Sequence, residues 1–336
     1  MDAKNGMDLS LWSRCFLGHL PTPFHSLKRL SETLNARIWI KRDDLTGFGF
    51  GGNKVRKLEF LLGQALEQGA DILLTTGGIQ SNHARVTAAA AASQGLEARL
   101  FLTGEQPPSF NGNLLLSELM GAQFDFIGDA DASLLMAAAA RTLAARGRTP
   151  YVIPLGGSTP LGCLGYVQAG LEWAAQMASE AVAIEHVVVA TGSGGTAAGL
   201  AVGLALSDVP TPRVHQISVS RKAEELEANF QKLVGGIVDL LRLPVDLEID
   251  CCFYDQYVGG GYTCPTADGL EAIRLLAQTE GIIADTTYTG KSLAGMIDFV
   301  RQGKMGRDAP VAFLHTGGAP AIFSKPEVFF RRACCR

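Results

Sequence analysis

The sequence is poor in the features that mark several classes of protein. Only 18% of its 336 residues are charged, and the formal net charge is -4. No stripe of lysine and arginine occurs, which argues against a nucleic-acid partner. No apolar run approaches the ~20 residues that a membrane-spanning helix needs, and the charged N-terminal segment lacks the apolar part of a signal peptide. We therefore expect a cytoplasmic protein with neither a nucleic-acid nor a membrane partner.

The seven cysteines form no recognisable framework. No CxxC pair occurs, and no group of cysteine and histidine has the spacing of a zinc site. An odd number of cysteines without a signal peptide fits a reducing compartment. We predict no metal site, and we interpret the cysteines as buried or unreactive thiols: Cys15, Cys163, Cys251, Cys252, Cys264, Cys334 and Cys335.

What the sequence does contain is a regular alternation of short apolar runs with longer helical ones. Strands are predicted at residues 37–41, 71–76, 98–103, 123–127, 150–154, 186–191, 213–220 and 310–315. Helices are predicted at residues 54–68, 82–93, 113–120, 132–146, 164–180, 195–206, 221–233, 267–280 and 291–301. Strands this apolar indicate parallel sheets covered by helices on both faces. The fold class is therefore α/β, with two lobes and a ligand between them at the carboxyl ends of strands.

The first candidate site is the stretch Gly51-Gly52-Asn53-Lys54. Two glycines let the backbone approach a ligand closely, and Asn53 is a suitable N-cap for the predicted helix. Lys54 then lies in the first helical turn, where positive neighbours and an apolar site would lower the pKa of its amine and free it to attack a carbonyl. The alternative is that Lys54 lies, like Arg56 and Lys57, on a solvated helix face.

A second candidate follows the strand at residues 71–76 and opens the next helix. Gln80, Ser81, Asn82 and His83 stand there in succession after two glycines. One such residue is enough to cap a helix, so the group exceeds what capping requires.

A third candidate is the turn Gly192-Ser193-Gly194-Gly195-Thr196 between a strand and a helix. Free N–H groups and the helix dipole make such a turn an anion site. The turn also matches a loose dinucleotide fingerprint, but the acidic residue expected at the end of the next strand is missing. A monophosphate therefore fits better than a dinucleotide.

Two tyrosines, Tyr262 and Tyr288, lie in polar or Gly-rich segments of the second half. They are candidates for acid/base or lid groups, and the alternative is ordinary packing. The Gly290-Lys291-Ser292 tripeptide is similar to the end of a phosphate-binding P-loop, but the upstream glycine of that motif is absent. We therefore assign it no phosphate role.

A late strand ends in His315-Thr316 followed by two glycines. Thr316 would offer a hydroxyl at the carboxyl end of the strand. His315 stands in a nearly apolar run, which favours a core histidine over a catalytic one.

Taken together, these segments resemble one family of enzymes. GGNKVRKLEFL, GGIQSNHAR, VIPLGGSTPLGCLGY, ATGSGGTAAGLAVGL, GGGYTCPT, TTYTGKSLAGM and FLHTGGAPA look like the D-cysteine desulfhydrase and 1-aminocyclopropane-1-carboxylate deaminase family. This family is part of the tryptophan-synthase-β-like (fold type II) pyridoxal-phosphate enzymes. The resemblance covers roughly residues 17–323 in consistent order. It implies a homodimer and a two-lobe fold, with a small lobe at residues 52–160 and a large lobe of residues 1–51 and 161–336.

The resemblance also implies roles for individual residues. The implied catalytic residues are Lys54, which would carry pyridoxal 5'-phosphate as a Schiff base, and Ser81, Tyr262 and Tyr288. Other cofactor ligands would be Asn53, Asn82, Thr316 and the turn from Gly192 to Thr196. The substrate, a small amino acid, would contact Ser81, Asn82, His83, Tyr262 and Tyr288.

The choice within the family depends on two positions. Deaminases of this kind carry Glu after the active-site tyrosine and Gln after QSN, where this chain has Thr289 and His83. A neutral threonine, Thr289 or Thr316, near the pyridine nitrogen would leave that nitrogen unprotonated. The weaker electron sink that results suits elimination of a good leaving group. We therefore expect a carbon–sulfur lyase that converts D-cysteine to pyruvate, sulfide and ammonia.

Other functions remain open at this point. The family patterns GYGVP and DPVYTGK are replaced here by GYTCP and DTTYTGK, with Thr263, Cys264, Thr286 and Thr287 as the departures. These leave L-cysteate sulfo-lyase and 1-aminocyclopropane-1-carboxylate deaminase as alternatives. From other classes, the chain could be an NAD(P)-binding oxidoreductase or a catalytically silent small-molecule binder.

Overall fold

The computed structural model describes residues 8–243, 247–305 and 309–330. The strands in this part of the chain are β1 (Phe24–Ser26), β2 (Ile38–Lys41), β3 (Ile72–Gly78), β4 (Glu97–Thr103), β5 (Gln123–Phe126), β6 (Pro150–Ile153), β7 (His186–Thr191), β8 (Arg213–Ser218), β9 (Cys251–Tyr254) and β10 (Val311–Leu314). The α-helices are α1 (Lys28–Leu34), α2 (Lys54–Glu67), α3 (Asn82–Ser93), α4 (Gly112–Leu119), α5 (Ala132–Ala144), α6 (Pro160–Ser179), α7 (Gly195–Ala205), α8 (Ala223–Leu241), α9 (Ala267–Glu280) and α10 (Thr289–Arg301).

The strands form two sheets. One has the order β5-β4-β3-β6 and is parallel throughout. The other has the order β1-β2-β10-β7-β8-β9 and is parallel except for the antiparallel pair β1 and β2. Central strands such as β7 and β10 are almost wholly buried, as expected for parallel sheets covered on both faces. The predicted α/β class is confirmed.

The division of the chain between the sheets agrees with an inserted lobe. All strands of the four-stranded sheet lie within residues 72–153, and those of the six-stranded sheet lie outside that range. Helix α2 packs against α6, and a Cβ added at Gly165 would lie 2.1 Å from the carbonyl oxygen of Arg56. The lobe boundaries at residues 52 and 160 stay a prediction.

Helix ends follow local chemistry where a cap is present. Helices α3 and α9 begin and end at the predicted residues, since Ser81 and Thr266 cap them through their side chains. Helix α6 begins four residues earlier than predicted, because the Thr159 hydroxyl accepts from Gly162 N and Pro160 suits the first turn. The sequence analysis missed the short elements β1, α1 and β9.

The predictions about membrane spans and cysteines can now be compared with the structure. No helix in the described ranges is both long enough and apolar enough to cross a membrane. The five described cysteines are free, with Cys163 buried and Cys264 exposed. The prediction of buried or unreactive thiols therefore holds by burial for Cys163, and for Cys264 the absence of reactivity stays a prediction. Cys334 and Cys335 lie outside the described residues.

Candidate active site

The carboxyl ends of β3, β7 and β10 open onto one cavity of about 410 Å³. This is the edge at which parallel α/β sheets bind ligands, and the volume lies in the range of small-molecule sites. Residues from both sheets line it. The predicted site residues among them are Asn53, Lys54, Ser81, Asn82, His83, Gly192, Ser193, Gly194, Thr196, Tyr262, Tyr288 and Thr316.

Lys54 is the first residue of α2, and its side chain reaches the cavity. Burial lowers the pKa of its amine well below the usual value, and the positive charge of Lys57 lowers it further. Its Nζ lies 3.4 Å from Asn53 Oδ1. The alternative of a solvated lysine is therefore wrong, and the lowered pKa favours the neutral, nucleophilic form of the amine.

Asn53 occupies the N-cap position of α2, but its side chain does not cap the helix. Instead its Nδ2 donates to Thr196 Oγ1 at 2.8 Å. The predicted capping role is thus wrong. The bond ties the start of α2, which carries Lys54, to the glycine-rich turn that precedes α7.

That turn forms a cup at the N-terminus of α7. Gly194 has a φ of +83°, a conformation that favours glycine. Gly195 belongs to this turn but is not among the residues that line the cavity. A Cβ added there would lie 2.5 Å from Lys57 Nζ and 2.6 Å from Ser158 Oγ. Ser158 Oγ in turn lies 2.7 Å from Ser193 Oγ.

Lys57 is the largest departure from the sequence analysis at this site. Its side chain is buried, and its Nζ donates to Gly156 O at 3.0 Å and to Ser158 Oγ at 2.8 Å. Burial lowers its pKa to about 8. Among the residues that the structure describes, no carboxylate forms an ion pair with it. The expected solvated face is wrong for Lys57, which places positive charge directly behind the glycine cup.

The start of α3 contributes polar groups on the other side of the cavity. Ser81 Oγ accepts from Ala84 N at 3.1 Å, so this residue caps the helix and also lines the cavity. Asn82 Oδ1 accepts from Asn113 Nδ2 at 2.8 Å, which fixes the amide. Gln80 bonds to Asn111 and Asn113 and supports α4 rather than the cavity.

His83 is buried and presents a neutral ring to the cavity. Thr75 Oγ1 donates to Ile153 O, so it accepts from His83 Nε2 at 2.9 Å. Burial, followed by the charges of Lys54 and Lys57, lowers the pKa of the imidazole well below its usual value. His83 Nδ1 is then a buried acceptor without a partner in the described chain.

Tyr262 and Tyr288 meet at the mouth of the cavity. Their hydroxyl oxygens lie 2.5 Å apart, and their rings are T-shaped with centroids 5.9 Å apart. Burial raises the pKa of the Tyr288 phenol well above its usual value, as do the charge and hydrogen bond of Tyr262. Asp285, which the sequence analysis did not assign, accepts from the backbone N–H of Tyr288 at 2.9 Å and so fixes its position.

The two threonines proposed for the pyridine nitrogen lie in different places. Thr316 follows β10 and lines the cavity. Thr289 is buried away from it, and its Oγ1 donates to Asp285 Oδ1 at 2.6 Å. Thr289 is therefore the wrong choice of the two. His315 is a core residue as predicted, fully buried with Nε2 2.9 Å from Ile283 O.

A buried amine of lowered pKa and an anion cup in one cleft of an α/β fold define an enzyme that holds a phosphorylated carbonyl cofactor. The family model described as "Pyridoxal-phosphate dependent enzyme" matches residues 16–317, and the chain belongs to this family. Its cofactor is pyridoxal phosphate, so the predicted cofactor is confirmed and the NAD(P)-binding alternative is wrong.

Individual proteins of known name or structure are similar to this chain over most of its length. The D-cysteine desulfhydrase of Salmonella choleraesuis (strain SC-B67) is 44% identical over 324 residues, which cover 94% of this chain and 97% of the relative. The D-cysteine desulfhydrase of Salmonella typhimurium is 45% identical over 317 residues, covering 92% and 94%. A crystal structure described as an ACC deaminase homologue matches with a TM-score of 0.85 and 39% identity, and covers 96% of each chain. The resemblance found from the sequence motifs is confirmed.

The residues present fit the cofactor. A Cβ at Gly195 would lie within 3 Å of Lys57 Nζ and Ser158 Oγ, so a side chain at this position would displace these two polar groups from behind the turn. Lys57 is a buried cation without a carboxylate partner in the described chain, and Thr191 Oγ1 lines the cavity without a hydrogen bond there. A phosphate dianion in the cup would satisfy such groups.

Proposed function

We propose that this protein is a carbon–sulfur lyase that uses pyridoxal phosphate to convert D-cysteine to pyruvate, sulfide and ammonia. The observation that carries the proposal is the amine of Lys54, which reaches the same cavity as the anion cup and has a strongly lowered pKa. The D-cysteine desulfhydrases that match 92–94% of the chain support the choice of substrate.

When bound, pyridoxal phosphate supplies an electron sink for the charge that remains after the α-proton leaves the substrate. Lys54 is the residue that would hold the aldehyde of the cofactor, and its Nζ would be the amine available for the α-proton of the substrate. Because burial and Lys57 disfavour its charged form, Nζ is ready to accept the α-proton as a general base.

The cup from Gly192 to Thr196 would orient the cofactor by its phosphate. Backbone N–H groups at the start of α7 and the hydroxyls of Ser193 and Thr196 would donate to it. Lys57 balances its charge from behind through Ser158. Asn53 couples this end of the cofactor to Lys54, since its amide bonds to Thr196 and its neighbour is the amine.

The substrate side is formed by α3 and the two tyrosines. The N-terminus of α3 with Ser81 and Asn82 suits the substrate carboxylate. His83 Nδ1 is a neutral acceptor that suits an N–H or S–H donor. Tyr288 keeps its proton at neutral pH because its pKa is raised, so its hydroxyl can protonate the departing sulfur while Tyr262 orients it.

Thr316 is the residue that we place beside the pyridine nitrogen. A hydroxyl does not hold that nitrogen in its protonated form as a carboxylate would. A weaker electron sink suffices for β-elimination of sulfide, which is a good leaving group, and suits ring opening of a cyclopropane less well.

The test is a substrate panel with a matched pair of variants. The purified protein is incubated with D-cysteine, L-cysteate and 1-aminocyclopropane-1-carboxylate, and sulfide, sulfite and 2-oxobutanoate are measured. We expect sulfide from D-cysteine as the dominant product. Lys54→Ala should lose the absorption band of the cofactor–lysine adduct and the activity, whereas Lys232→Ala, at an exposed position of α8, should keep both. Sulfite or 2-oxobutanoate as the main product, or a normal band in Lys54→Ala, would overturn the proposal.

We also propose that the enzyme acts as a homodimer in the cytoplasm. The unpaired state of the five described cysteines, which include the adjacent Cys251 and Cys252, supports a reducing compartment. The homodimer rests on the family resemblance. Sedimentation equilibrium should give twice the mass of the chain, and a monomer at all concentrations would exclude the dimer.

A further inference from the structure

Lys291 belongs to the Gly290-Lys291-Ser292 segment, to which the sequence analysis assigned no function. It lies in the first turn of α10, three residues after Tyr288, and is fully buried. Its Nζ donates to two backbone carbonyl oxygens, Val258 O and Gly261 O, each at 2.8 Å. A buried ammonium bonded to carbonyl oxygens is a strong, charge-assisted contact.

Those carbonyls belong to residues 258–264, which we call the Tyr262 loop. The backbone within the loop is held weakly, since Gly261 N lies 3.4 Å from Val258 O and Cys264 N lies 3.3 Å from Gly261 O. Gly259, Gly261 and Thr263 all have positive φ, of +64°, +119° and +61°. The two hydrogen bonds from Lys291 are thus shorter than the backbone hydrogen bonds within the loop. They stabilise a backbone conformation with three positive φ angles that the segment would not keep in isolation.

The Tyr262 loop brings its tyrosine to the cavity. Tyr262 bonds to the Tyr288 hydroxyl, and its ring covers the end of β3, where a Cβ added at Gly78 would lie 3.2 Å from Tyr262 Cε1. Tyr288 is the N-cap residue of α10. The start of one helix therefore fixes both tyrosines, Tyr288 directly and Tyr262 through the ammonium of Lys291.

We propose that Lys291 is a positioning residue whose ammonium holds the Tyr262 loop over the cavity and so presents Tyr262 to Tyr288 and to the substrate. The consequence for turnover rests on the function proposed above, but the order of the loop does not. Burial lowers the pKa of Lys291, while the neighbouring Cys264 and Asp285 act in the opposite direction. Groups of the loop and of the turn before α10 therefore offset part of the cost of burying its charge.

The first experiment measures the loop itself. Hydrogen–deuterium exchange of the holoenzyme is compared for wild type, Lys291→Met and the exposed-lysine control Lys232→Met. We expect amide exchange within residues 258–264 to rise about tenfold or more in Lys291→Met, because two bonds to a charged donor are lost. Exchange elsewhere, and all exchange in the control, should stay at the wild-type rate. Unchanged exchange in the loop would overturn the proposal whether or not D-cysteine is the substrate.

The second experiment separates positioning from a general structural role by a double-mutant cycle with Tyr262→Ala. Lys291→Met should lower kcat/KM about ten- to hundredfold with the cofactor absorption band unchanged. In the Tyr262→Ala background the same substitution should lower it no further, since the loop then has no tyrosine to present. An equal loss in both backgrounds would refute the proposal.

If Lys291→Met is not recovered in folded form, Lys291→Arg enters the same cycle. It keeps a cation and its donors but displaces them from the two carbonyl oxygens. We expect a smaller loss of kcat/KM that again vanishes on Tyr262→Ala. A loss that persists there would refute the role of Lys291. A wild-type enzyme that releases no sulfide but shows the predicted exchange pattern would refute only the proposed function.

Discussion

Replacing Arg56 by methionine should destabilise the protein far more than the same change at a surface arginine. Arg56 is 1% exposed and donates to both oxygens of the fully buried Asp43, at 2.8 and 2.9 Å. It also donates to both carboxylate oxygens of Glu172 on α6, each at 2.9 Å. The guanidinium thus joins α2, which carries the site amine, to the segment after β2 and to α6.

The expected loss of stability in Arg56→Met follows from the carboxylate that remains buried without its cation. Methionine fills much of the volume of the arginine stem, but Asp43 loses the cation that balances its charge. Removing one partner of a buried ion pair costs about 3–5 kcal/mol, because the other charge stays buried and unpaired. Arg213 pairs with Asp250 where both side chains are about half exposed, and losing such a pair costs about 0–1 kcal/mol. Arg213→Met is therefore the matched control.

The assay is urea unfolding followed by tryptophan fluorescence, since the buried Trp173 lies next to Glu172 in the core of the six-stranded sheet. Burial alone would raise the pKa of Asp43, but the charge and hydrogen bond of Arg56 hold it below its usual value. A carboxyl with a lowered pKa stabilises the fold above its unfolded-state pKa, and that contribution is lost as the pH falls through the lowered value. The difference between wild type and Arg56→Met should therefore be largest near about pH 7 and narrow toward about pH 3. A cost no larger than that of Arg213→Met, or a gap that widens in acid, would refute the reasoning.

Three further predictions concern the site. Lys57→Met should weaken pyridoxal phosphate binding about ten- to hundredfold, as measured by titration of the apoprotein, because the cup loses its positive charge; unchanged affinity would exclude Lys57 from the phosphate site. Tyr288→Phe should lower kcat about 10²- to 10⁴-fold with a small change in KM if its hydroxyl protonates the leaving sulfur, and a normal kcat would leave that step to another donor. Thr263→Gly should raise the stability of the Tyr262 loop by about 1 kcal/mol, because glycine adopts the φ of +61° without strain; faster amide exchange at residues 258–264 would contradict this.

Local signals predicted much of the fold. The ends of α3 and α9 were predicted correctly because each helix begins at a side-chain cap that is visible in the sequence. Strand β7 was predicted from its apolar run. The strand β9 was missed because its residues Cys251–Tyr254 are only partly buried and too few to show a period. The start of α1 has no side-chain cap, and that helix was missed as well.

The site was predicted in part for the same reason. Ser81 and the glycine cup stand at strand-to-helix junctions, where position alone indicates a ligand. Lys54 opens a helix directly after two glycines and Asn53, which is also a local signal. The burial of Arg56 depends on Glu172, 116 residues away, and no local pattern reports such a partner. Thr289 was misplaced because deaminases of the family carry a glutamate at this position, directly after the active-site tyrosine, and the threonine was therefore expected beside the pyridine nitrogen. Tyr288 is the N-cap of α10 and faces the cavity, while Thr289 turns back to Asp285.

The two lysines near the cup have a consequence for the stability of the protein. The charge of Lys57 disfavours the charged form of Lys54, and an anionic ligand offsets that charge only in the native state. Ligation of the native state alone adds about 2.7 kcal/mol at a hundredfold excess over Kd. Saturation with pyridoxal phosphate should therefore raise the free energy of unfolding, and the protein without the coenzyme should be the form that a protease cleaves sooner.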